Sequence, residues 1–573
     1  MILGLKESGL SWETKRPPDE TSSSLGMSAP LRNGTFRRIW LASLLSNLGL
    51  FIQGVGAAWA MTQMTSSAEL IALVQTASML PIMLTSLAAG AIADMYDRRI
   101  VGLVALSVAL AGATALSILA HLGSVTPATL LAFCFIIGTG MALFGPAWQA
   151  SVSEQVPSQA LPAAIALNTI SYNIARSFGP AVGGVIVSIA GAVAAFICNA
   201  LLYVPLLIVL YRWQRAKEPS RLPPERLRRA VISGVRYVIH SPTMRVVLAR
   251  TFLVGIIGGS ITALMPLVAR NLLGGGAQLY GIMLGAFGMG AVTGALNIPR
   301  IRARFSSEAS VRVCALVMGA ALAVVAMSRI PFLTGSALVI AGAAWMVAIA
   351  LFNIAIQLSA PRWVAGRALA AFQAAISGGV AIGSWIWGQV AQALGVDIAI
   401  LLSGVAMATS ALFGLWLVIP SLDRANDDAD EMIEDPEVRL RLTARSGPIV
   451  VEIEYRVDPR KAREFYSIMQ EVQLSRQRNG AYGWSLAREL ADRELWTERY
   501  HCPTWLDYLR QRNRPTQSER VLQNRALEFH LGPKPVRIRR MLERPFGSVR
   551  WKEETPDRAT SDVLPIADPS GGH

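Results

Sequence analysis

Twelve long apolar runs dominate the chain between Thr35 and Pro420, and they decide which solvent it can fold in. They cover roughly residues 37–62, 69–93, 100–121, 127–152, 161–189, 192–213, 246–270, 278–299, 308–328, 332–357, 368–394 and 397–419. Each is long enough for a helix to cross a hydrocarbon layer, which takes about 20 residues. A helix satisfies its own backbone hydrogen bonds, so it is the natural form for such a run in lipid. Charged residues make up only 16% of the 573, and the mean hydropathy is +0.42. An aqueous globule of this size could not bury so much apolar surface. The expected fold class is an all-α polytopic membrane protein with the lipid bilayer as partner. The runs are numbered here as spans 1 to 12.

The formal net charge is +15, and a basic chain invites a nucleic-acid reading. Here, however, the Arg residues sit in short loops between apolar runs, the usual pattern of topogenic charge. No nucleic-acid partner is expected. Arg37, Arg38, Arg98, Arg99, the long loop from Arg212 to Arg236, Arg300, Arg302, Arg304, Arg362 and Arg367 fall on one side of the membrane. The other side holds little beyond Arg270 and Arg329. The positive-inside rule then places both termini in the cytoplasm. Cys134, Cys198, Cys314 and Cys502 are scattered without metal-ligand or disulfide-framework spacing, so neither a metal nor a cofactor is expected.

The long basic loop divides the spans into two sets of six. The expected organisation is a disordered arm (1–34), a first half (35–213), a basic linker (214–245), a second half (246–420), a further linker (421–447), a small α+β domain (448–545) and a disordered tail (546–573). Organised sequence begins just after Met27, a candidate start. Within the basic linker, Leu227–Ile239 alternates apolar and basic faces at helical spacing. It suits either a helix lying on an anionic leaflet or one packed on the protein.

Several motifs sharpen this picture. After span 2 comes Gly90-Ala-Ile-Ala-Asp94-Met-Tyr-Asp97-Arg98-Arg99. In the loop between spans 2 and 3 of a six-plus-six protein, this pattern resembles the signature loop of the major facilitator superfamily. It departs in Met95, where a basic residue is usual, and in Asp97, where a Gly is usual. The resemblance implies a gating role for Gly90, Asp94, Arg98 and Arg99. Asp94 would face the start of a helix in the other half, where an anion is favoured, and Arg98 would pair with Glu154 at the end of span 4. The alternative is simple anchoring of a short turn. The second-half loop, with Asn297, Arg300, Arg302 and Arg304, weakly echoes the first and supports an internal duplication.

Span 5 carries Gly179-Pro180-Ala-Val-Gly183-Gly184. This resembles the signature of antiporters in that superfamily and implies export; close helix packing through small residues is the plainer reading. Arg176 lies about midway along the same span, where a charge is expensive and faces a polar cavity or a partner. Tyr172, Asn173 and Asn168 extend a polar face from it. Further cavity candidates are Asn47 and Gln53 on span 1, Asn353 and Gln357 on span 10, and Gln373 on span 11, each also suited to joining helices. No Asp or Glu lies near the middle of a span. Proton antiport therefore follows from the resemblance alone.

The stretches Gly145-Pro-Ala-Trp148, Leu161-Pro-Ala-Ala-Ile-Ala-Leu-Asn168 and Pro361-Arg362-Trp-Val-Ala-Gly366-Arg367 narrow the resemblance over about 35–420. They are similar to the bacterial exporter branch that includes the enterobactin exporter, also described as transmembrane secretion effectors. That implies export of a siderophore-like or drug-like small molecule across a bacterial inner membrane. In the tail, strand and helix patterns run in the order βαββαβ, which suggests a ferredoxin-like fold. With Trp484, Trp496, Arg499-Tyr500 and Trp505, it resembles domains of the antibiotic-biosynthesis-monooxygenase type, which pair into dimers. Dimerisation or regulation is expected of the tail; no nucleophile or metal cluster is legible, and His501 and His530 stand alone. The rival functions are an importer of the same fold and a membrane-tethered enzyme.

Overall fold

A computed structural model describes residues 29–213, 227–361, 364–418, 438–440, 442–443, 445–513, 517–533 and 535–543. The expected arm before residue 29, the tail after 543 and most of the two linkers lie outside these residues.

Among the described residues, eleven helices are long and apolar enough to cross a membrane, and one of them counts twice. The helix Leu161–Arg212 has 52 residues, which at 1.5 Å per residue is far longer than a bilayer is thick. It breaks at Gly191, whose φ of 77° is outside helical space and costs a glycine little. Spans 5 and 6 are the two arms of this break. The other ten are Gly34–Met64, Ala68–Met95, Arg98–His121, Pro127–Ser151, Pro242–Leu267, Ala277–Arg304, Ser307–Met327, Pro331–Ser359, Ala365–Leu394 and Val396–Ser410. Side chains set the ends. Asn33, Ser67, Asp97, Thr126 and Ser306 cap spans 1, 2, 3, 4 and 9 by accepting backbone N–H bonds.

The spans form two six-helix halves. Span 1 packs along spans 5 and 6, and span 7 along span 11. The halves meet on two seams, span 2 against span 11 and span 5 against span 8. The start of span 1, the linker helix and the tail share one face of the bundle, called here the near face. On the opposite, far face the halves are latched together. Ala68 N–H donates to Gln392 Oε1 at 2.7 Å, Trp59 stacks on Tyr280 with ring centroids 6.3 Å apart, and Arg270 donates to the Thr62 carbonyl.

The linker helix Leu227–Ile239 packs on protein, the second of the two readings its pattern allowed. It touches spans 2, 7 and 11 and the first tail helix, Ala462–Arg478. Tyr237 is buried, and the Arg236 guanidinium lies against the backbone of Gly480.

The tail forms a four-stranded antiparallel sheet of β1 (Ile449–Arg456), β2 (Tyr482–Arg488), β3 (Leu495–Cys502) and β4 (Arg537–Leu542), in the order β2-β3-β1-β4. Helices Ala462–Arg478, Trp505–Asn513 and Gln517–Leu527 complete the ferredoxin-like pattern. Alternation along β1 puts Ile449, Val451, Ile453 and Tyr455 into a core with Phe465, Met469 and Val472. Glu498 is wholly buried there and accepts from Arg476 Nε (3.0 Å), Trp484 Nε1 (3.0 Å) and Tyr455 Oη (3.2 Å). The opposite face carries crossed ion pairs of Glu452 and Glu454 with Arg499 and Arg539.

Candidate functional site

Span 5 presents three distinct surfaces. At about 100° per residue, Phe178, Val182, Val185 and Ile189 share one side, and all four are exposed, as lipid-facing residues are. Gly179 and Gly183 lie on one flank of the other side and meet span 1: an added Cβ would come within 2.7 Å of Phe51 Cβ and 3.0 Å of Ile52 Cα, respectively. Ser177 and Gly184 lie on the other flank and meet span 8 at Gly288 and Gly281. Between these flanks, opposite the lipid side, runs a line through Ile165, Thr169 and Arg176. That line points into the bundle, between span 1 of the first half and span 8 of the second. Pro180 lets its helix bend where its carbonyl meets Gly281.

Arg176 is the charged group on that line. Its Nε and Nη2 are shut away from solvent, and neither has a hydrogen-bond partner among the described residues. The Asn168 Nδ2 donor is in the same condition. Tyr172 packs on Phe51, with centroids 5.7 Å apart, and Asn173 Nδ2 donates to the Thr169 carbonyl at 2.9 Å.

The other polar candidates separate. Asn47 donates to Ser43 Oγ at 3.4 Å on its own helix. Gln53 is buried and accepts from Asn199 Nδ2, so its amide joins spans 1 and 6 within the first half. Asn353 and Gln357 bond to each other on span 10, and Gln373 on span 11 is exposed. Among the described residues, no hydrogen bond joins any of these to the span 5 stripe.

At the near face of the first half, Arg98 Nη1 donates to Glu154 Oε1 at 2.8 Å and to the Ala150 carbonyl at 2.7 Å. Arg99 donates to the carbonyls of Leu210 and Tyr211, capping the end of span 6. Gly90 faces Ala370 of span 11, where an added Cβ would sit at 3.7 Å. The side chain of Asp94 lies outside the described residues. In the second-half loop, Asn297 bonds along its own helix, donating to the Thr293 carbonyl and accepting from Arg300.

The second half has its own near-face cluster, which sequence reasoning missed. Arg250, 4% exposed, donates to Glu308 Oε2 at 2.5 Å and to the Leu417 carbonyl at 2.9 Å, and lies 5.6 Å from the Phe352 ring centroid. Arg312 Nε reaches Glu308 Oε1 at 2.9 Å. The available signal was an isolated Arg inside an apolar run with an isolated Glu opening another. Among the described residues, no group of three or more His, Cys, Asp or Glu could hold a metal ion. His530 accepts from Arg456 N–H, and His501 faces Glu543 at 3.4 Å.

Comparison with known proteins fits this geometry. A family model described as transmembrane secretion effector matches residues 25–546. The "Staphyloferrin A transporter" of Staphylococcus aureus is 24% identical over 263 residues, 45% of this chain and 66% of that protein. The "Multidrug efflux pump Tap" of Mycolicibacterium fortuitum is 24% identical over 67% of this chain and 96% of its own length. The "Enterobactin exporter EntS" of Shigella flexneri is 23% identical over 69% of this chain and 92% of its own. Among solved structures, the nucleoside transporter NupG superposes with a TM-score of 0.53 at 12% identity, over 68% of this chain and all of the other. A D-xylose-proton symporter superposes with a TM-score of 0.54 at 13% identity, over 68% of this chain and 99% of the other. These two share the fold.

Proposed function

The chain belongs to the transmembrane secretion effector family, a family of multi-pass membrane transporters, and we propose that it exports a small molecule from the bacterial cytoplasm by alternating access. Its relatives are transporters and not enzymes. The observation that carries the mechanism is the pair of small-residue seams between two six-helix halves. Flat glycine contacts such as Gly184 on Gly281 let helices slide and rock without unpacking large side chains.

The Arg asymmetry of the loops makes the near face cytoplasmic. The far-face latch then holds the outer side shut, the state in which substrate loads from the cytoplasm. Arg176, with Asn168, Tyr172 and Asn173, meets it at mid-membrane. Gly90, Asp94, Arg98, Arg99 and Glu154 form the inner gate, which closes as the outer latch opens. The glycines of the span 5 motif act by packing, as Gly179 and Gly183 do on span 1.

For the tail we favour regulation over catalysis, because the linker helix it contacts also touches spans 2 and 11, one from each half. The crossed ion pairs on its outer sheet face suit pairing with a second copy.

Metabolite profiling of cells with and without the protein tests export: the substrate should be enriched outside expressing cells and retained in deleted ones. Enrichment inside expressing cells would point to the importer. Deleting 448–573 should leave measurable efflux, and loss of all function with the helices intact would favour a tethered enzyme. A reporter fused to either terminus should read cytoplasmic.

A further inference from the structure

Resting on the export reading, we infer that the transported molecule is an anion, held through a carboxylate or a similarly charged oxygen group by the guanidinium of Arg176. Other arginines within or at the ends of the spans are treated alike. Arg98, Arg99, Arg250, Arg270 and Arg312 each donate to a main-chain carbonyl, a carboxylate or both. The fold supplies an acceptor to each of them.

Arg176 is built differently. Two of its donor atoms are buried with nothing to bind among the described residues. Its helix position aims it between the flank that touches span 1 and the flank that touches span 8, opposite the lipid-facing residues. The backbone around it is tightly fixed, since the Arg176 carbonyl lies within 2.9 Å of a Cβ placed on Gly288. The guanidinium cannot shed its charge at any physiological pH. No span carries a mid-depth carboxylate to neutralise it. A fixed cation facing the centre of the bundle repels cationic molecules and attracts anions in a low-dielectric site. Its planar fork matches two oxygens of one carboxylate. Asn168, elsewhere on the same span, adds one more buried donor without a partner among the described residues.

The test uses purified full-length protein and three kinds of probe, with binding measured by titration calorimetry. Citrate is compared with trimethyl citrate, 2,3-dihydroxybenzoate with its neutral amide, and ethidium serves as the cation. At least one anion should bind tenfold or more tightly than its neutral partner, and ethidium should bind weakly. Arg176→Gln should erase that preference, while Arg176→Lys, which retains the charge, should keep much of it. Equal binding within both pairs, preference for ethidium, binding of neither anion, or an unchanged preference in Arg176→Gln would each overturn the inference. Efflux assays in cells separate it from the export reading. Outward clearance of ethidium that ignores Arg176 would leave export standing and remove the anion. Anion binding that depends on Arg176, coupled to inward transport in oriented vesicles, would keep the anion and remove export.

Discussion

Gly184 of span 5 and Gly281 of span 8 touch backbone to backbone: a Cβ built on Gly281 would lie 2.8 Å from the Gly184 Cα, and one on Gly184 would lie 2.9 Å from the Gly281 Cα. Real side chains do not tolerate such distances, so the halves can close here only because both positions lack a Cβ. Gly281→Val should therefore disfavour the latched state. Overpacking of this kind costs about 1–3 kcal/mol, and about 1.4 kcal/mol shifts a two-state balance tenfold. Efflux should fall at least fivefold with normal membrane insertion. Thiol labelling of a cysteine placed at Thr62 should rise in the variant; unchanged labelling would mean the contact does not control closure.

At the inner gate, the Arg98–Glu154 pair is only partly shielded, at 25% and 15% exposure. Glu154→Gln should reduce efflux about threefold to tenfold, within the range of an ion pair worth roughly 1 kcal/mol. Arg98→Glu should do more, since it sets two acids against each other. Combining Arg98→Glu with Glu154→Arg should recover part of the loss. Asp94→Asn should cripple transport while the protein stays in the membrane. Normal efflux by that variant would remove Asp94 from the gate.

Tyr237 ties the linker helix to both bundle and tail. Burial raises its phenol above the ordinary value, with Glu519 adding to the shift and Arg478 opposing it. Tyr237→Ala should cost about 3–5 kcal/mol if the site does not collapse. Hydrogen exchange should then quicken in Leu227–Ile239, and the transport rate should change although Arg176 is untouched. Gly480→Val, which would push against Arg236, should do the same. Rates insensitive to both would leave the tail without a regulatory role.

Cys502 sits against Gln511, with its Sγ 2.9 Å from Oε1. Burial, helped by Asp507, pushes its thiol up to about 12. The reactive thiolate is therefore scarce in the folded tail. In a chain whose only thiol is Cys502, maleimide at pH 8 should label the denatured protein and spare the native one. Above about pH 8.5 the unfolded thiol ionises while the folded one cannot, so tail stability should decline from there toward pH 12. Rapid native labelling would show that the tail opens.

Glu498 offers a separate probe of the tail. Glu498→Gln leaves the buried Arg476 without its counter-charge, a loss of about 3–5 kcal/mol. Limited proteolysis should then digest 449–542 readily and leave the twelve spans intact. A resistant tail would show that the remaining hydrogen bonds suffice.

Much of this molecule was written along the chain. Twelve spans, two halves and the βαββαβ order of the tail follow from local rules, whereas the pairing of Arg98 with Glu154 was implied by the resemblance of the loop motif. Apolar length, Arg placement, strand alternation and a loop motif need only near neighbours to be read. Even the Leu227–Ile239 helix was visible as a periodicity, although its two environments were not separable.

Which polar side chain meets which neighbour was decided by the fold alone. Gln53 and Arg176 look alike as polar residues within apolar runs. Gln53 turns out to join spans 1 and 6, while Arg176 is left with unmatched donors among the described residues. Arg250 and Glu308, on separate spans, become one buried ion pair. The reason is physical: span lengths and caps depend on adjacent residues, whereas the rotation of each helix depends on packing against partners distant in sequence. Orientation toward lipid, a neighbouring helix or the bundle centre exists only once both halves are assembled.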